Sequence, residues 1–250
     1  MGESQRGVAV VTGASSGIGA ATALRLAKEG FDVILGARRV DRLEDVAARC
    51  GGRALALDVT DPASVDAFAS AVDHVSVLVN NAGLASGFET VAELSEDRVE
   101  TMWATNVLGL LRVTRALLPK IEESGAGHIV NLGSIAGFET YPGGAGYTAS
   151  KHAVRAITRT LRLELLGKPI RVTEVAPGLV ETEFSVVRFD GDAERAKKPY
   201  EGITPLTAED IADCIAWAVT RPPHVNIDEI VVRPIAQAGA TLVARRPTQE

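Results

Sequence analysis

Between the apolar run Val8-Ala9-Val10-Val11 and a helical stretch, the chain reads Thr12-Gly13-Ala14-Ser15-Ser16-Gly17-Ile18-Gly19. A strand that turns on glycine directly into a helix constrains the fold more than any other feature here. Gly13 can take a backbone shape closed to larger residues. Gly17 and Gly19, on either side of Ile18, allow close approach to the helix start. The unpaired N–H groups and the positive end of that helix suit a phosphate, and Ser15 and Ser16 add hydroxyl donors. The spacing is Gly-x-x-x-Gly-x-Gly and not the dinucleotide fingerprint Gly-x-Gly-x-x-Gly. The motif alone therefore leaves a purely structural glycine turn open.

The rest of the chain repeats the strand–helix pattern. Apolar strands are predicted at Val33–Leu35, Ala54–Val59, Val75–Asn80, His128–Leu132, Ile170–Val175 and Ile227–Arg233. Helices are predicted from Ile18 to Lys28, around Leu43-Val46-Ala47, after the cap pair Asp61-Pro62, from Asp97 to Leu118 with a stop at Pro119, from Gly146 to Leu166, and from Thr207 to Val219. Continuously apolar strands alternating with helices imply a parallel sheet covered on both faces. The expected fold is α/β: one doubly wound sheet in one domain over residues 1–250. Residues 184–205 break the pattern and read as an excursion over one sheet edge, and 235–250 as a C-terminal tail.

The net charge of −6 argues against a general nucleic-acid binder. No run reaches the length of a membrane span, and no apolar leader precedes the first strand. Cys50 and Cys214 read as idle thiols of a reducing compartment, which makes the cytoplasm the expected location. No His/Cys/acid cluster has zinc spacing, so no metal is expected.

The second strand ends in Gly36-Ala37-Arg38-Arg39, where an acid would hold a ribose hydroxyl. Two guanidiniums instead suit a 2′-phosphate. NADP(H) is therefore expected over NAD(H), with a solvated basic loop as the plain alternative. Asp58-Val59 is placed to hold the adenine edge. Tyr147 and Lys151 are four apart on a helix and share a face. A nearby ammonium lowers a phenol's pKa and makes it a usable acid or base. Ser134 ends a strand where its hydroxyl can orient a carbonyl oxygen, and Asn106 is a candidate relay to Lys151. Tyr-x-x-x-Lys alone is equally a surface pair.

Together, Thr12–Gly19, Asn80-Asn81-Ala82-Gly83, Asn106, Ser134, Tyr147/Lys151 and Pro177-Gly178 resemble the short-chain dehydrogenase/reductase family in order and spacing, over roughly residues 7–234. The resemblance implies a Rossmann-type fold and a nicotinamide cofactor. Asn106 becomes relay, Ser134 oxygen donor, Tyr147 acid/base, and Lys151 both pKa shifter and ribose ligand. Asn80, Ala82 and Gly83 would line the adenosine side; Pro177, Gly178, Val180 and Thr182 would meet the nicotinamide carboxamide and phosphates. A homotetramer, or a dimer, packed through the helices Asp97–Leu118 and Gly146–Leu166 is also implied.

Within the family, Pro177–Ser185, Val187-Arg188-Phe189, Gly191-Asp192 and Pro223–Ile227 resemble NADP-dependent 3-hydroxy acid dehydrogenases, which also act on serine and allo-threonine. The implied substrate is a short 3-hydroxy acid, a 3-oxo acid or a semialdehyde. Arg188 is a candidate for its carboxylate, or else an exposed or structural arginine. Tyr141 and Phe184 are pocket walls or core. His128 is expected to cap a strand end, His152 to stand off the catalytic face, His224 to sit in a turn, and Trp103 and Trp217 to pack or meet another subunit. The competing readings are a reductase of a larger ketone on the same catalytic set, and a cofactor-binding regulatory protein without turnover.

Overall fold

The computed structural model describes residues 6–246; the N-terminal residues 1–5, part of the segment read as lacking a leader, and the tail end 247–250 lie outside it. Seven parallel strands run β1 (Val8–Thr12), β2 (Asp32–Ala37), β3 (Arg53–Ala56), β4 (Val77–Asn80), β5 (Gly127–Leu132), β6 (Ile170–Pro177) and β7 (Glu229–Val232), in the spatial order β3-β2-β1-β4-β5-β6-β7. The order reverses between β1 and β4. In open α/β sheets such a switch point leaves a crevice at the carboxyl ends of the strands.

Side chains alternate across β1: Ala9 and Val11 enter one core layer, Val10 the other. The first layer holds α1 (Gly17–Lys28), α2 (Val40–Cys50) and α9 (Ala208–Val219) through Leu26, Leu43, Ile211 and Ile215. The second takes α3 (Pro62–Ser70), α5 (Leu110–Glu123) and α6 (Ala145–Glu164) through Phe68, Leu117, Ile121 and Leu165. This two-sided core explains why the strands are mostly apolar. The helix starts carry their own signals. Asp61 accepts from the Ala63 N–H, and Thr207 and Asp210 form a reciprocal capping box. Gly30 leaves α1 at φ +88°.

Two elements differ from the sequence reading. The long helix does not stop at Pro119. It runs as α4 (Glu96–Trp103), a π-helical stretch Ala104–Gly109, and α5, with Pro119 inside it. The packing of Leu117 and Ile121 in the core holds the segment helical across the proline. The excursion also forms two short helices, α7 (Phe184–Arg188) and α8 (Ala193–Lys197), tied down where Tyr200 Oη donates to the Val180 carbonyl and pairs with Ser185 Oγ.

His128 does not cap a strand end; it is fully buried inside β5. Thr173 Oγ1 spends its proton on the Ile227 carbonyl, so His128 Nε2 donates to it at 2.7 Å. Nδ1 is then left unpartnered. Burial, with Arg171 nearby, pushes the imidazole down to about 3. The group is neutral when folded and takes a proton only when unfolded between its ordinary value and about 3. Stability is thus fully present above pH ~6.5 and drains as the pH falls, by up to about 1.4 kcal/mol per pH unit. Urea titrations from pH 4 to 7 should show a steeper acid slope for the wild type than for His128→Gln; equal slopes would refute this.

Candidate active site

The switch point is stitched by side chains. Thr12 Oγ1 accepts from the N–H groups of Asn81 and Ala82 (3.1 and 3.0 Å), and Asn81 Nδ2 donates to the carbonyls of Thr12 and Gly13. A cavity of about 710 Å³ opens above it. Its walls include Gly13, Ser15, Ser16, Gly17, Ile18, Arg38, Arg39, Asp58, Val59, Ala82 and Gly83 on one side. Ser134, Tyr147, Lys151, Pro177, Gly178, Val180 and Thr182 complete them on the other.

The cradle fits a dinucleotide phosphate. Gly13 and Gly17 both have positive φ, and α1 begins with no side-chain cap and no acid in its first turn. Its amides are therefore open to an anion. Gly19 serves another purpose: a Cβ there would overlap Asn81 Nδ2 and the Gly13 carbonyl, so it lets helix and strand close up. Arg39 bridges the cradle, donating to Ser15 Oγ (3.3 Å), Ser16 Oγ (2.6 Å) and Glu183 (3.0 Å). Arg42 holds the other oxygen of Glu183, and these hydrogen bonds keep the carboxylate below its usual range. Asp58 feels an upward push from burial that is outweighed by two hydrogen bonds from Thr60, with Arg38 adding its charge.

Besides Gly19, two expected site residues do not line the cavity. Asn80 is buried, donating to Thr114 Oγ1 and Asn131 Oδ1, while its neighbour Asn81 faces the site. Consecutive side chains at a strand end point to opposite sides. Asn106 is buried as well. Its amide gives both hydrogens away, to the Leu84 carbonyl and Ser150 Oγ, and its oxygen accepts from the Leu84 N–H. The side chain clamps the loop after β4 to α6, and its π-helical setting is of a kind frequent at functional sites.

Ser134 Oγ accepts from the Ala136 N–H (3.1 Å) and lies 3.5 Å from the Pro177 carbonyl. The Tyr147 ring lies edge-on to Phe184, with centroids 5.5 Å apart. Burial pushes the phenol well above its ordinary value; the neighbouring Ser134 hydroxyl and the Arg188 charge pull it back in part. Lys151, one turn along α6, points its Nζ at the Leu132 carbonyl (2.8 Å) and sits 5.9 Å from the Tyr147 ring centre. Burial lowers it to about 8, against an opposing pull from Glu174. Burial, and not the lysine, thus sets the direction of the phenol's shift, and the phenol stays protonated at neutral pH; Arg188 and Lys151 lie 5.7 and 5.9 Å from its ring centre.

Residues not foreseen also shape the site. Tyr200, Gln237 and Arg245 line it, and Gln237 Oε1 accepts from the Leu179 N–H. Nothing in the local sequence singles out Gln237, which reaches the site from the tail. Trp103 and Trp217 are both substantially exposed, and His152 turns its Nδ1 to the Thr148 carbonyl. Among the described residues, no group of three His, Cys, Asp or Glu side chains is placed to hold a metal ion, and no helix is long and apolar enough to cross a membrane.

A phosphate cradle at a sheet switch point, opening onto a serine–tyrosine–lysine group, defines a dinucleotide-dependent oxidoreductase. The short chain dehydrogenase family model matches residues 7–192, and the chain belongs to that family. It is 58% identical over 242 residues to an uncharacterized oxidoreductase of Mycobacterium tuberculosis, covering 97% of this chain and 96% of the relative. It is 44% identical to the NADP-dependent 3-hydroxy acid dehydrogenase of Schizosaccharomyces pombe, covering 95% and 96%. Among solved structures, the closed form of a serine dehydrogenase complexed with NADP+ superposes with a TM-score of 0.91 at 40% identity, covering 96% of this chain and all of that one.

Proposed function

We propose that the protein interconverts a short 3-hydroxy acid and its carbonyl partner with NADP(H). The observation that carries this reading is Arg188. Its Nε donates to the Gly87 carbonyl and one terminal nitrogen to Tyr141 Oη, while the other terminal nitrogen is buried without a partner. A buried, unpaired guanidinium nitrogen is costly unless an acceptor arrives. The guanidinium carbon lies 5.7 Å from the Tyr147 ring centre. A molecule that puts an oxygen on Tyr147 and an anionic group on Arg188 has only a few atoms between them. Arg188 stacks on Phe88 and Tyr141, which fixes its plane. The Schizosaccharomyces pombe relative's name supports the 3-position of the hydroxyl.

Bound NADP(H) supplies or accepts the hydride. Gly13, Ser15, Ser16, Gly17 and Ile18 would hold its phosphates, Arg38 and Arg39 the 2′-phosphate, and Asp58, Val59, Ala82 and Gly83 the adenosine. Pro177, Gly178, Val180 and Thr182 would hold the nicotinamide end, with Lys151 on the ribose. Ser134 and Tyr147 address one substrate oxygen, and Tyr147 Oη gives or takes its proton. Phe88, Tyr141 and Phe184 wall the site from water. Leu108, Leu111, Leu163 and Leu166, exposed on the π-helical stretch, α5 and the end of α6, support assembly through these helices as a homotetramer or homodimer. The two unpaired thiols, Cys50 and Cys214, agree with a cytoplasmic setting.

Arg188→Met keeps much of the stack but removes the charge. It should raise the KM for 3-hydroxy acids about 10- to 100-fold, as expected for a charged hydrogen bond of ~1.5–3 kcal/mol. The KM of an uncharged alcohol of equal length and the NADPH affinity should stay put. An unchanged KM for the acids would end this reading.

A further inference from the structure

Strand β6 carries three polar side chains, Arg171, Thr173 and Glu174; Arg171 is only partly buried, whereas Glu174 is almost fully buried. A charged side chain inside a two-sided sheet needs a reason. Its neighbourhood gives one. Oε1 lies against Gly133, where any Cβ would overlap it, and has no hydrogen-bond partner. Gly133 follows Leu132, whose carbonyl accepts a hydrogen bond from Lys151 Nζ, and precedes Ser134. Oε2 faces Arg155 at 3.9 Å, one helical turn beyond Lys151 on the same face of α6. Arg155 in turn holds Glu229 of β7 (2.5 Å), and Arg159 approaches that carboxylate at 3.8 Å. Charges of alternating sign thus run from Glu174 through Arg155 and Glu229 to exposed Arg159, while Lys151 bonds the carbonyl of the residue before Gly133, against which Glu174 rests.

We propose that Glu174 is a positioning residue for Lys151, a carboxylate behind the cavity wall that holds the lysine as a cation pointed at the Leu132 carbonyl. Glu174 needs the space that Gly133 leaves by lacking a side chain, so the two residues form one device. Burial pushes Glu174 upward, while Arg155 and then Lys151 and Arg159 pull it back and Glu229 opposes them. For Lys151 the balance is the mirror image: burial takes its proton away and Glu174 restores it. Besides these groups, Tyr147 is the titratable side chain facing Lys151 from its own helix. The consequence for turnover rests on the role given to Lys151 above; the coupling itself does not.

The test reads Lys151 directly in the cofactor-free protein, through the pH dependence of its Cε resonance in lysine-labelled samples. The peak is assigned by its loss in Lys151→Met. In the wild type it should titrate near 8. Glu174→Gln should move the midpoint down by about one unit or more, and the alkaline limb of the kcat profile should move with it. Glu174→Asp, which keeps the charge, should restore most of the shift. A purely structural loss would admit water and move the midpoint upward instead, and an unmoved midpoint would equally overturn the proposal. If Glu174→Gln does not fold, Glu229→Gln, at the wetter end of the chain, should lower the Lys151 midpoint in the same direction by a smaller amount; no shift there also overturns it. A shifted midpoint with an unshifted kcat profile would instead remove Lys151 from the reaction.

Discussion

Tyr147→Phe should lower kcat by about 10²- to 10⁴-fold, the usual contribution of a positioned general acid or base, while NADPH binding stays measurable. The substitution removes one oxygen. The edge contact with Phe184 and the position on α6 need only the ring. The lost oxygen is the one whose ionisation the Ser134 hydroxyl and the Arg188 charge favour. Burial keeps the phenol protonated at neutral pH, so the group stands ready to donate to a carbonyl oxygen. Stopped-flow measurement of carbonyl reduction, with NADPH affinity from fluorescence, separates chemistry from binding. Turnover within tenfold of the wild type would mean that the proton comes from elsewhere. A wild type without turnover on any carbonyl would favour the regulatory reading.

The glycine turn and the Tyr147/Lys151 pairing were legible because each depends on residue type at fixed local spacing. Gly13 and Gly17 need positive φ, and Tyr147 and Lys151 need one helical turn between them. Strand order was accessible only as a class, since apolar runs say that strands are buried and not which neighbours they choose. What stayed hidden depends on long-range contact. Asn80 and Asn81 are identical in type, and only the register of β4 decides which of them faces the crevice. Gln237 reaches Leu179 across 58 residues. The burial of Tyr147, which reverses the direction expected from its lysine, comes from elements far away in sequence. Glu174 did leave a trace: an acid in the middle of a strand whose neighbours are all buried has to be explained.

Cofactor choice gives the second large effect. Replacing Arg38 and Arg39 together by alanine should weaken NADPH binding by roughly 10²- to 10³-fold and leave NADH binding nearly unchanged. Two charged hydrogen-bonding groups, each worth up to ~1.5–3 kcal/mol before screening by solvent, are removed from one phosphate. The structure adds a counter-weight to this site. Glu183 lies between Arg39 and Arg42, so an incoming 2′-phosphate competes with a carboxylate for the same guanidinium. These pairs are about half exposed and therefore weak, on the order of 0–1 kcal/mol. Glu183→Gln should accordingly tighten NADPH only a few-fold, again without touching NADH. Glu183 immediately precedes α7, whose last residue is Arg188, so the proposed phosphate site and the proposed substrate cation sit at the two ends of one short helix. Fluorescence titrations of both nucleotides at low and high salt decide the matter. An equal loss of NADH and NADPH affinity in the double variant would mean that the arginines shape the turn after β2 and do not read the phosphate.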